Sequence, residues 1–186
     1  MRSSDEMRSS EVKDRRIEVQ HVDDLSEDGV ARIMALRSRV DFAVPDYAWT
    51  PWGEKKWHVL VWIGGELVGH VGILEREVRA GEQPVRVAGL YTVMTAPEWR
   101  GKGIASEAMR AAADYIRARM GAEFGLLLCR DVMLPFYRAL GWRLVEDGVV
   151  FDQPAGKTVS ALNALYLPLR ETDWPAGTLD FCGPPW

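Results

Sequence analysis

A glycine-bearing loop between a strand pattern and a helix pattern constrains this chain most. The apolar run Val85–Thr95 indicates a strand, and the run Ile104–Met120 has the period of a helix. Between them lies the stretch Ala96-Pro-Glu-Trp-Arg-Gly-Lys-Gly-Ile-Ala105. The start of a helix offers free backbone N–H groups and the positive end of the helix dipole, and glycines let the backbone approach a ligand closely. We therefore expect this loop to bind a pyrophosphate.

Two familiar phosphate-binding loops do not match this stretch. A Walker A loop requires serine or threonine after its lysine, whereas Lys102 precedes Gly103. In the dinucleotide fingerprint Gly-x-Gly-x-x-Gly, Ser106 occupies the position of the third glycine. A glycine turn that only caps the helix stays an alternative for the loop taken alone.

The loop resembles motif A of the GCN5-related N-acetyltransferases (GNAT), Arg/Gln-x-x-Gly-x-Gly/Ala. Arg100, Gly103 and Ala105 occupy its defined positions. In that family the loop binds the pyrophosphate of acetyl-CoA, so the resemblance implies acetyl-CoA as the co-substrate. The residues expected to contact it are Val93, Met94, Thr95, Arg100, Gly101, Lys102, Gly103, Ile104 and Ala105.

A second stretch, Phe136-Tyr137-Arg-Ala-Leu-Gly141-Trp142, resembles motif B of the same family, Phe-Tyr-x-x-x-Gly-Phe/Trp. The resemblance implies that Tyr137 is the general acid that protonates the CoA thiolate. An aromatic side chain that only packs a short helix is the alternative. The order of patterns also resembles the family from Ile17 to Leu167. It implies an α+β fold in which helices flank one mixed, mostly antiparallel sheet that is splayed at its central strands.

The patterns along the chain favour one domain, residues 17–186, after a polar and flexible tail, residues 1–16. Ser26 is a predicted helix N-cap, and Gly64-Gly65 predicts a hairpin. Asp131 is predicted to cap a short helix that ends at Leu140-Gly141. Strands are expected at Ile17–His21, His58–Ile63, Glu66–Val78, Val85–Thr95, Phe124–Cys129, Trp142–Glu146 and Thr158–Leu167.

The composition argues against several classes of function. A net charge of −4 disfavours nucleic-acid binding, because there is no basic surplus to neutralise phosphates. No apolar run approaches the length of a membrane span, and the polar N-terminus is no secretory signal, so we expect a cytoplasmic protein that does not bind membranes. The three histidines are too scattered to predict a metal site. Cys129 and Cys182 are expected to be reduced thiols without a histidine to activate them. The sequence is compatible with a homodimer.

A narrower resemblance, to the aminoglycoside 2′-N-acetyltransferases, rests on four stretches. They are Asp41-Phe with Asp46-Tyr47, Trp57–Gly65 with His70 and Arg76, Asp173–Gly177, and the C-terminal Trp186. In that family, early acidic residues and the terminal carboxylate meet the ammonium groups of the antibiotic. The resemblance implies a cationic amino-sugar acceptor, contacted by Asp41, Asp46, Tyr91, Thr92, Asp173 and Trp186. The tail Trp174–Leu179, with Gly89-Leu-Tyr91, is instead similar to the nodulation N-acyltransferases, which also acylate an amino sugar.

The sequence leaves the proton acceptor open. Tyr91 stands where the 2′-acetyltransferases carry a glutamate thought to relay the proton, and Leu128 replaces a serine. With a reference pKa of about 10, Tyr91 is a poor base, although its hydroxyl could hold a relay water. The candidate bases are the Trp186 carboxylate, Asp46 and Asp173. A backbone N–H between Val93 and Thr95 is the candidate oxyanion donor.

The leading hypothesis is an acetyl-CoA-dependent N-acetyltransferase for an aminoglycoside-like antibiotic, with kasugamycin-type aminoglycosides among the candidate acceptors. The second is an N-acyltransferase for another amine or a longer acyl chain. The third, from another class, is an acyl-CoA-binding sensor without catalysis. Tyr137 and Arg100 argue against the sensor, and CoA release with any amine would exclude it.

Overall fold

The computed structural model describes residues 14–40 and 56–186. The strands are β1 (Arg15–His21), β2 (Trp57–Ile63), β3 (Glu66–Ala80), β4 (Gln83–Thr95), β5 (Phe124–Cys129), β6 (Arg143–Leu144), β7 (Val149–Gln153), β8 (Gly156–Val159), β9 (Asn163–Pro168) and β10 (Leu179–Asp180). The helices are α1 (Glu27–Ser38), α2 (Ile104–Arg119) and α3 (Leu134–Ala139). Short 3-10 turns precede α1, α2 and α3. The fold is therefore α+β, as the sequence predicts.

One mixed sheet contains all of these strands. Its main order is β6-β9-β5-β4-β3-β10-β7-β8, and β2 joins β1 to β3. The neighbours are antiparallel except for two parallel pairs, β4 with β5 and β7 with β10. Strand β4 pairs with β5 only from Val87 to Gly89, opposite Phe124 to Leu126. Beyond Gly89 the two strands diverge, which confirms the predicted splay at the centre of the sheet.

The buried residues form two hydrophobic cores, and successive side chains of β5 divide between them because they point to opposite faces of the sheet. We call the first the helix-side core; its members include Ile33, Leu36, Val61, Ile73, Leu90, Ile104, Ala108, Met109, Ile116, Leu127 and Trp142. We call the second the tail-side core; its members include Leu74, Val78, Val87, Phe124, Leu126, Phe151, Leu179, Phe181 and Trp186. Neighbours such as Leu126 and Leu127 thus belong to different cores. Burial on both faces explains why β5 is a continuous apolar run.

The local signals of the first half are confirmed. The Ser26 hydroxyl accepts a hydrogen bond from the Gly29 N–H at 3.1 Å, as an N-cap does. Gly64 and Gly65 have φ angles of 57° and 78°, which fit a tight hairpin turn between β2 and β3. Strand β1 begins at Arg15, so it includes two residues of the predicted tail 1–16. Residues 1–13 lie outside the described residues, and the flexible tail stays a prediction.

Predictions for the second half need correction. The predicted strand at 158–167 is two strands, β8 and β9, because the chain turns between them, where Ser160 Oγ accepts a hydrogen bond from the Leu162 N–H at 3.0 Å. The predicted strand at 142–146 shrinks to Arg143–Leu144. Strands β7 and β10 have no predicted counterpart.

Asp131 does not cap α3, contrary to the prediction. The helix starts at Leu134, and its N-cap residue, Met133, makes no side-chain cap. The Asp131 carboxylate instead accepts a hydrogen bond from Asn163 Nδ2 at 2.6 Å, which ties the end of β5 to β9. None of the helices in the described part of the chain is long and apolar enough to cross a membrane.

Candidate active site

A cavity of about 870 Å³ opens where β4 and β5 diverge. The splay leaves a gap between two strands of the sheet, and both strands, the loop before α2, and α3 line it. The lining residues are Arg37, Val40, Leu90, Tyr91, Thr92, Val93, Thr95, Trp99, Arg100, Gly101, Gly103, Ile104, Ala105, Ser106, Leu127, Leu128, Cys129, Arg130, Met133, Phe136, Tyr137, Leu162 and Trp186. The cavity therefore brings both predicted motifs together.

The glycine loop shapes one wall of the cavity. Gly101 and Gly103 have φ angles of 74° and 81°, a left-handed conformation that side chains with a Cβ rarely adopt. Gly103 is the N-cap residue of α2, and its carbonyl accepts the Glu107 N–H at 3.0 Å. The start of α2 therefore faces the cavity with the positive end of its dipole, which is a suitable environment for a phosphate.

Most of the predicted acetyl-CoA contacts line this cavity, and two do not. Met94 is 2% exposed and belongs to the helix-side core. Lys102 lies outside the lining, and its Nζ stacks 4.3 Å from the centre of the Trp99 ring. The structure adds Arg37 and Arg130, which sequence reasoning missed. Neither belongs to a motif, so only the fold reveals them.

Tyr137 lies at the cavity with its side chain almost fully buried, at 6% exposed. Its ring packs edge-to-face against Phe136, with the ring centres 5.0 Å apart, and against Trp142 at 6.2 Å. Burial, and then the charge of Cys129, raise the pKa of the Tyr137 phenol well above its usual value. The phenol therefore stays protonated at neutral pH. Tyr137 is therefore in the protonated form that a general acid needs, and its raised pKa makes it a weaker acid than a free tyrosine.

Strand β4 carries a β-bulge at the cavity. The register with β3 shifts between His70 and Gly72, and Thr92 has a φ of 45°. A bulge leaves a backbone group without its ladder partner and re-aims the neighbouring peptide. Here the Thr92 carbonyl oxygen lies 2.9 Å from Nδ1 of the buried His70.

Trp186 forms the part of the cavity floor that comes from the tail-side core. Its ring lies 4.5 Å from the ring centre of Phe181 and so close to Gly89 that a Cβ there would be 2.7 Å from Trp186 Nε1. Arg76 stacks on the ring at 5.2 Å and donates a hydrogen bond to the Pro184 carbonyl at 2.6 Å. Burial lowers the pKa of the Arg76 guanidinium.

Tyr91 also lines the cavity, next to the bulge. A Cβ at Gly72 would lie 2.8 Å from Tyr91 Cζ, so the missing side chain of that glycine makes room for the ring. Burial raises the pKa of the Tyr91 phenol well above its usual value. At neutral pH the basic phenolate form of Tyr91 is consequently even rarer than its reference pKa implies.

Of the acidic side chains expected at the acceptor site, the described residues include Asp173. Asp41 and Asp46 lie outside the described residues. Asp173 lines a separate depression of about 300 Å³, with Arg143 and Arg170 among its neighbours. Within residues 14–40 and 56–186, the charged side chains that line the main cavity are arginines: Arg37, Arg100 and Arg130. In the same ranges, no group of three His, Cys, Asp or Glu side chains could hold a metal ion.

Known proteins resemble this chain in sequence and in fold. A sequence model of the family described as acetyltransferase (GNAT) domain matches residues 21–145. An aminoglycoside 2′-N-acetyltransferase of Mycolicibacterium fortuitum is 24% identical over 144 residues, which cover 77% of this chain and 71% of that protein. The crystal structure of Escherichia coli ElaA aligns with a TM-score of 0.56 and 16% identity over 81% of this chain and 98% of its own. A GNAT family acetyltransferase from Brucella melitensis, solved in complex with acetyl-CoA, aligns with a TM-score of 0.55 and 18% identity over 88% of this chain and 94% of its own.

Proposed function

This chain belongs to the GNAT acetyltransferase family, and we propose that it transfers the acetyl group of acetyl-CoA directly to an amine of an aminoglycoside-like amino sugar. The observation that carries the proposal is the single cavity that the glycine loop, the β4 bulge and Tyr137 share. A phosphate site, a candidate oxyanion donor and a proton donor are the three elements that acyl transfer from a thioester to an amine requires.

The cavity offers acetyl-CoA a polar mouth and an apolar interior. The glycine loop and Arg100 would hold the pyrophosphate, and Arg37 and Arg130 add positive charge for the remaining phosphate. Leu90, Leu127 and the other apolar residues suit the pantetheine arm. The thioester would then lie between the bulge and Tyr137.

The reaction follows from this arrangement. The neutral amine attacks the thioester carbonyl, and a backbone N–H near Val93 stabilises the negative charge that develops on the carbonyl oxygen. The carbon–sulfur bond then breaks, and Tyr137 donates its proton to the leaving thiolate. The nitrogen loses its extra proton to water, either directly or through the groups near Tyr91. Because Tyr91 and Tyr137 both stay protonated at neutral pH, we expect the pH dependence of the rate to follow the acceptor amine and neither phenol.

Two observations support an amino-sugar acceptor. The first is the similarity to the Mycolicibacterium fortuitum protein, which covers most of both chains. The second is the floor made by Trp186, Tyr91 and Thr92, residues that the resemblance assigns to acceptor binding. Asp41, Asp46 and the Trp186 carboxylate remain the proposed contacts for the ammonium groups.

A second candidate is transfer of a longer acyl chain, or transfer to another amine. It is favoured by the apolar residues Leu128, Met133, Phe136 and Leu162, which also line the cavity. A chain longer than acetyl would bury more apolar surface there, at about 0.8 kcal/mol per methylene.

The test is a panel of amino-sugar antibiotics, simple amines and acyl-CoA donors, with release of free CoA thiol as the readout and mass spectrometry of the product. We expect an aminoglycoside to give the highest kcat/KM with acetyl-CoA, and Tyr137→Phe to remove most of that activity. Faster reaction with a long-chain donor would favour the second candidate. Binding of acetyl-CoA without thiol release on any amine would leave the sensor hypothesis.

A further inference from the structure

Two buried histidines form a line that ends at the β4 bulge. His58 on β2 is 4% exposed, and His70 on β3 is 0% exposed. His58 Nδ1 lies 2.9 Å from His70 Nε2, and His70 Nδ1 lies 2.9 Å from the Thr92 carbonyl oxygen. The Thr92 hydroxyl lies 3.5 Å from the same His70 nitrogen. These contacts thus link the adjacent strands β2, β3 and β4, and they end at Thr92, which lines the cavity.

Hydrogen-bond chemistry gives this line a direction. A carbonyl oxygen can only accept, so His70 Nδ1 carries the proton that is donated to Thr92. In a neutral His70 ring, Nε2 then has a free lone pair and accepts the N–H of His58 Nδ1. His58 therefore fixes both the tautomer and the orientation of the His70 ring, as the partner of a functional histidine commonly does.

Because the peptide group is planar, a hydrogen bond that fixes the Thr92 carbonyl also fixes the direction of the Val93 N–H. The described part of the chain has no cis peptide bond, and in a trans peptide the C=O and N–H groups point in opposite directions. The carbonyl of the Thr92–Val93 peptide points to His70. The N–H of Val93 in that same peptide must then point away from His70. Thr92 and Val93 both line the cavity, so this N–H is directed towards the space between the strands.

We propose that the His58–His70 pair is a positioning device that fixes the Thr92–Val93 peptide and so aims the Val93 N–H at the thioester carbonyl oxygen. The inference rests on the proposed function, since it requires acetyl-CoA in the cavity. A preorganised donor stabilises developing charge because no reorientation is needed during the reaction. Thr92 at a positive φ is a conformation that a threonine does not hold by itself, and the hydrogen bond from His70 holds it.

Packing alone does not explain why histidines occupy these two positions, because the residues around them are buried and aliphatic. Val59, Leu60 and Val71 adjoin the two histidines along β2 and β3, and each is at most 1% exposed. An aliphatic side chain would fill such a position without the cost of burying polar nitrogens. The imidazole of His70 is needed because it supplies a donor to the bulge.

The test compares His70→Leu, which removes the donor, with His70→Asn, whose side-chain N–H₂ can occupy the place of Nδ1. The readout is the carbonyl stretching band of bound acetyl-CoA, isotope-labelled at the carbonyl carbon and followed by infrared difference spectroscopy. This measurement needs no acceptor. In the parent protein we expect the band below its position in free acetyl-CoA, because a hydrogen bond weakens the carbonyl bond.

In His70→Leu the band should return towards its free position while the Kd for acetyl-CoA stays nearly unchanged. With any acceptor that reacts, kcat should fall by about 10²–10³, as for loss of an oxyanion donor, with KM for acetyl-CoA little affected. His70→Asn should restore most of the band shift and of kcat. If His70→Leu does not fold, His58→Leu removes only the outer link and should give a smaller change in the same direction.

Leu60→Ala is the matched control. Leu60 lies opposite His70 on β2 and is 1% exposed, so its truncation disturbs the same part of the core without touching Thr92. We expect lower stability and an unchanged carbonyl band. A parent band at the free position, a band in His70→Leu equal to that of the parent, or an equal shift in Leu60→Ala would overturn the inference. Failure of acetyl-CoA to bind the parent protein would instead overturn the proposed function.

Discussion

The helix-side core and the tail-side core are built from different kinds of sequence information. The helix-side core depends on long regular elements, chiefly α2 and the strands beneath it. The tail-side core depends on distant segments: Leu179 pairs with Ala80, and Trp186 packs on Gly89. The cavity lies where the two cores meet. This difference suggests that the helix side holds acetyl-CoA and the tail side shapes the acceptor site, and that the two functions can be changed separately.

Removing the hydroxyl of Tyr137 should have the largest effect, and it should affect only chemistry. Tyr137→Phe keeps the ring and its packing against Trp142, so stability and acetyl-CoA affinity should stay nearly constant. Turnover should fall by about 10²–10⁴, the usual value of general acid assistance. Steady-state kinetics and thermal melts with acetyl-CoA measure both quantities. Full turnover in the variant would show that Tyr137 only packs the helix.

Truncation on the tail side should destabilise the protein and spare acetyl-CoA binding. Trp186 is 4% exposed, and Trp→Ala substitutions in cores cost about 3–5 kcal/mol. We expect Trp186→Ala to lower the free energy of unfolding in urea by such an amount and to raise the KM of the acceptor. The Kd of acetyl-CoA should change little, because the glycine loop belongs to the other side. A large loss of acetyl-CoA affinity would contradict the division between the two sides.

Two glycines offer a matched pair for the same comparison. A Cβ at Gly89 would lie 2.7 Å from Trp186 Nε1, whereas a Cβ at Gly125 would lie 3.0 Å from Trp142 Cη2 on the helix side. Overpacking costs about 1–3 kcal/mol, and the shorter contact should cost more. Gly89→Ala should also raise the acceptor KM by displacing Trp186. Gly125→Ala should lower only the stability, as measured by urea unfolding. Equal acceptor KM values in the two variants would argue against Trp186 as part of the acceptor site.

The smallest expected effect is a loss of stability at alkaline pH, caused by the Cys129 thiol in the helix-side core. Burial, and then the charge of Asp131, raise the pKa of the Cys129 thiol from 9.0 to about 11. Between these values the unfolded chain loses a proton that the folded chain keeps, so stability falls as pH rises. From pH 8 to pH 10 this thiol should account for about 1 kcal/mol of the loss. Urea unfolding at the two pH values should show a smaller loss in Cys129→Ala, and an identical loss in both proteins would refute the assignment.

Sequence patterns predict the helix side better than the tail side, and the reasons are physical. Ser26, the Gly64-Gly65 turn and the run Phe124–Cys129 are local signals, in which the residues that form an element also identify it. Motif A lies on one continuous segment for the same reason. Strand β10 has only two residues, and its place between β3 and β7 depends on contacts far along the chain.

The same limit applies to the candidate active site, where sequence patterns identify local motifs but not residues that meet only after folding. The loop and Tyr137 are identified by motif, whereas the His58–His70 line is not, because the two histidines meet only after β2 and β3 pair. The bulge at Thr92 has no sequence signal either, since threonine is an ordinary strand residue. The separation of Asp173 from the cavity likewise follows from the path of the chain after β9 and not from its residue type.

Strand β3 pairs with β2 near its start and with β10 at its end, and this division has a consequence for how such a protein can acquire a new acceptor. Seven of the first eight residues of this fifteen-residue strand pair with β2, and its last two pair with β10. Strand β10, in the segment that carries Trp186, thus pairs with β3 only at the end of a strand that β2 and β4 anchor elsewhere. Substitutions in residues 171–186 that keep the buried Leu179, Phe181 and Trp186 can accumulate under selection with little effect on the strand that supports the bulge. Gene duplication followed by change in this segment would be an economical route to a new acceptor with the same donor chemistry.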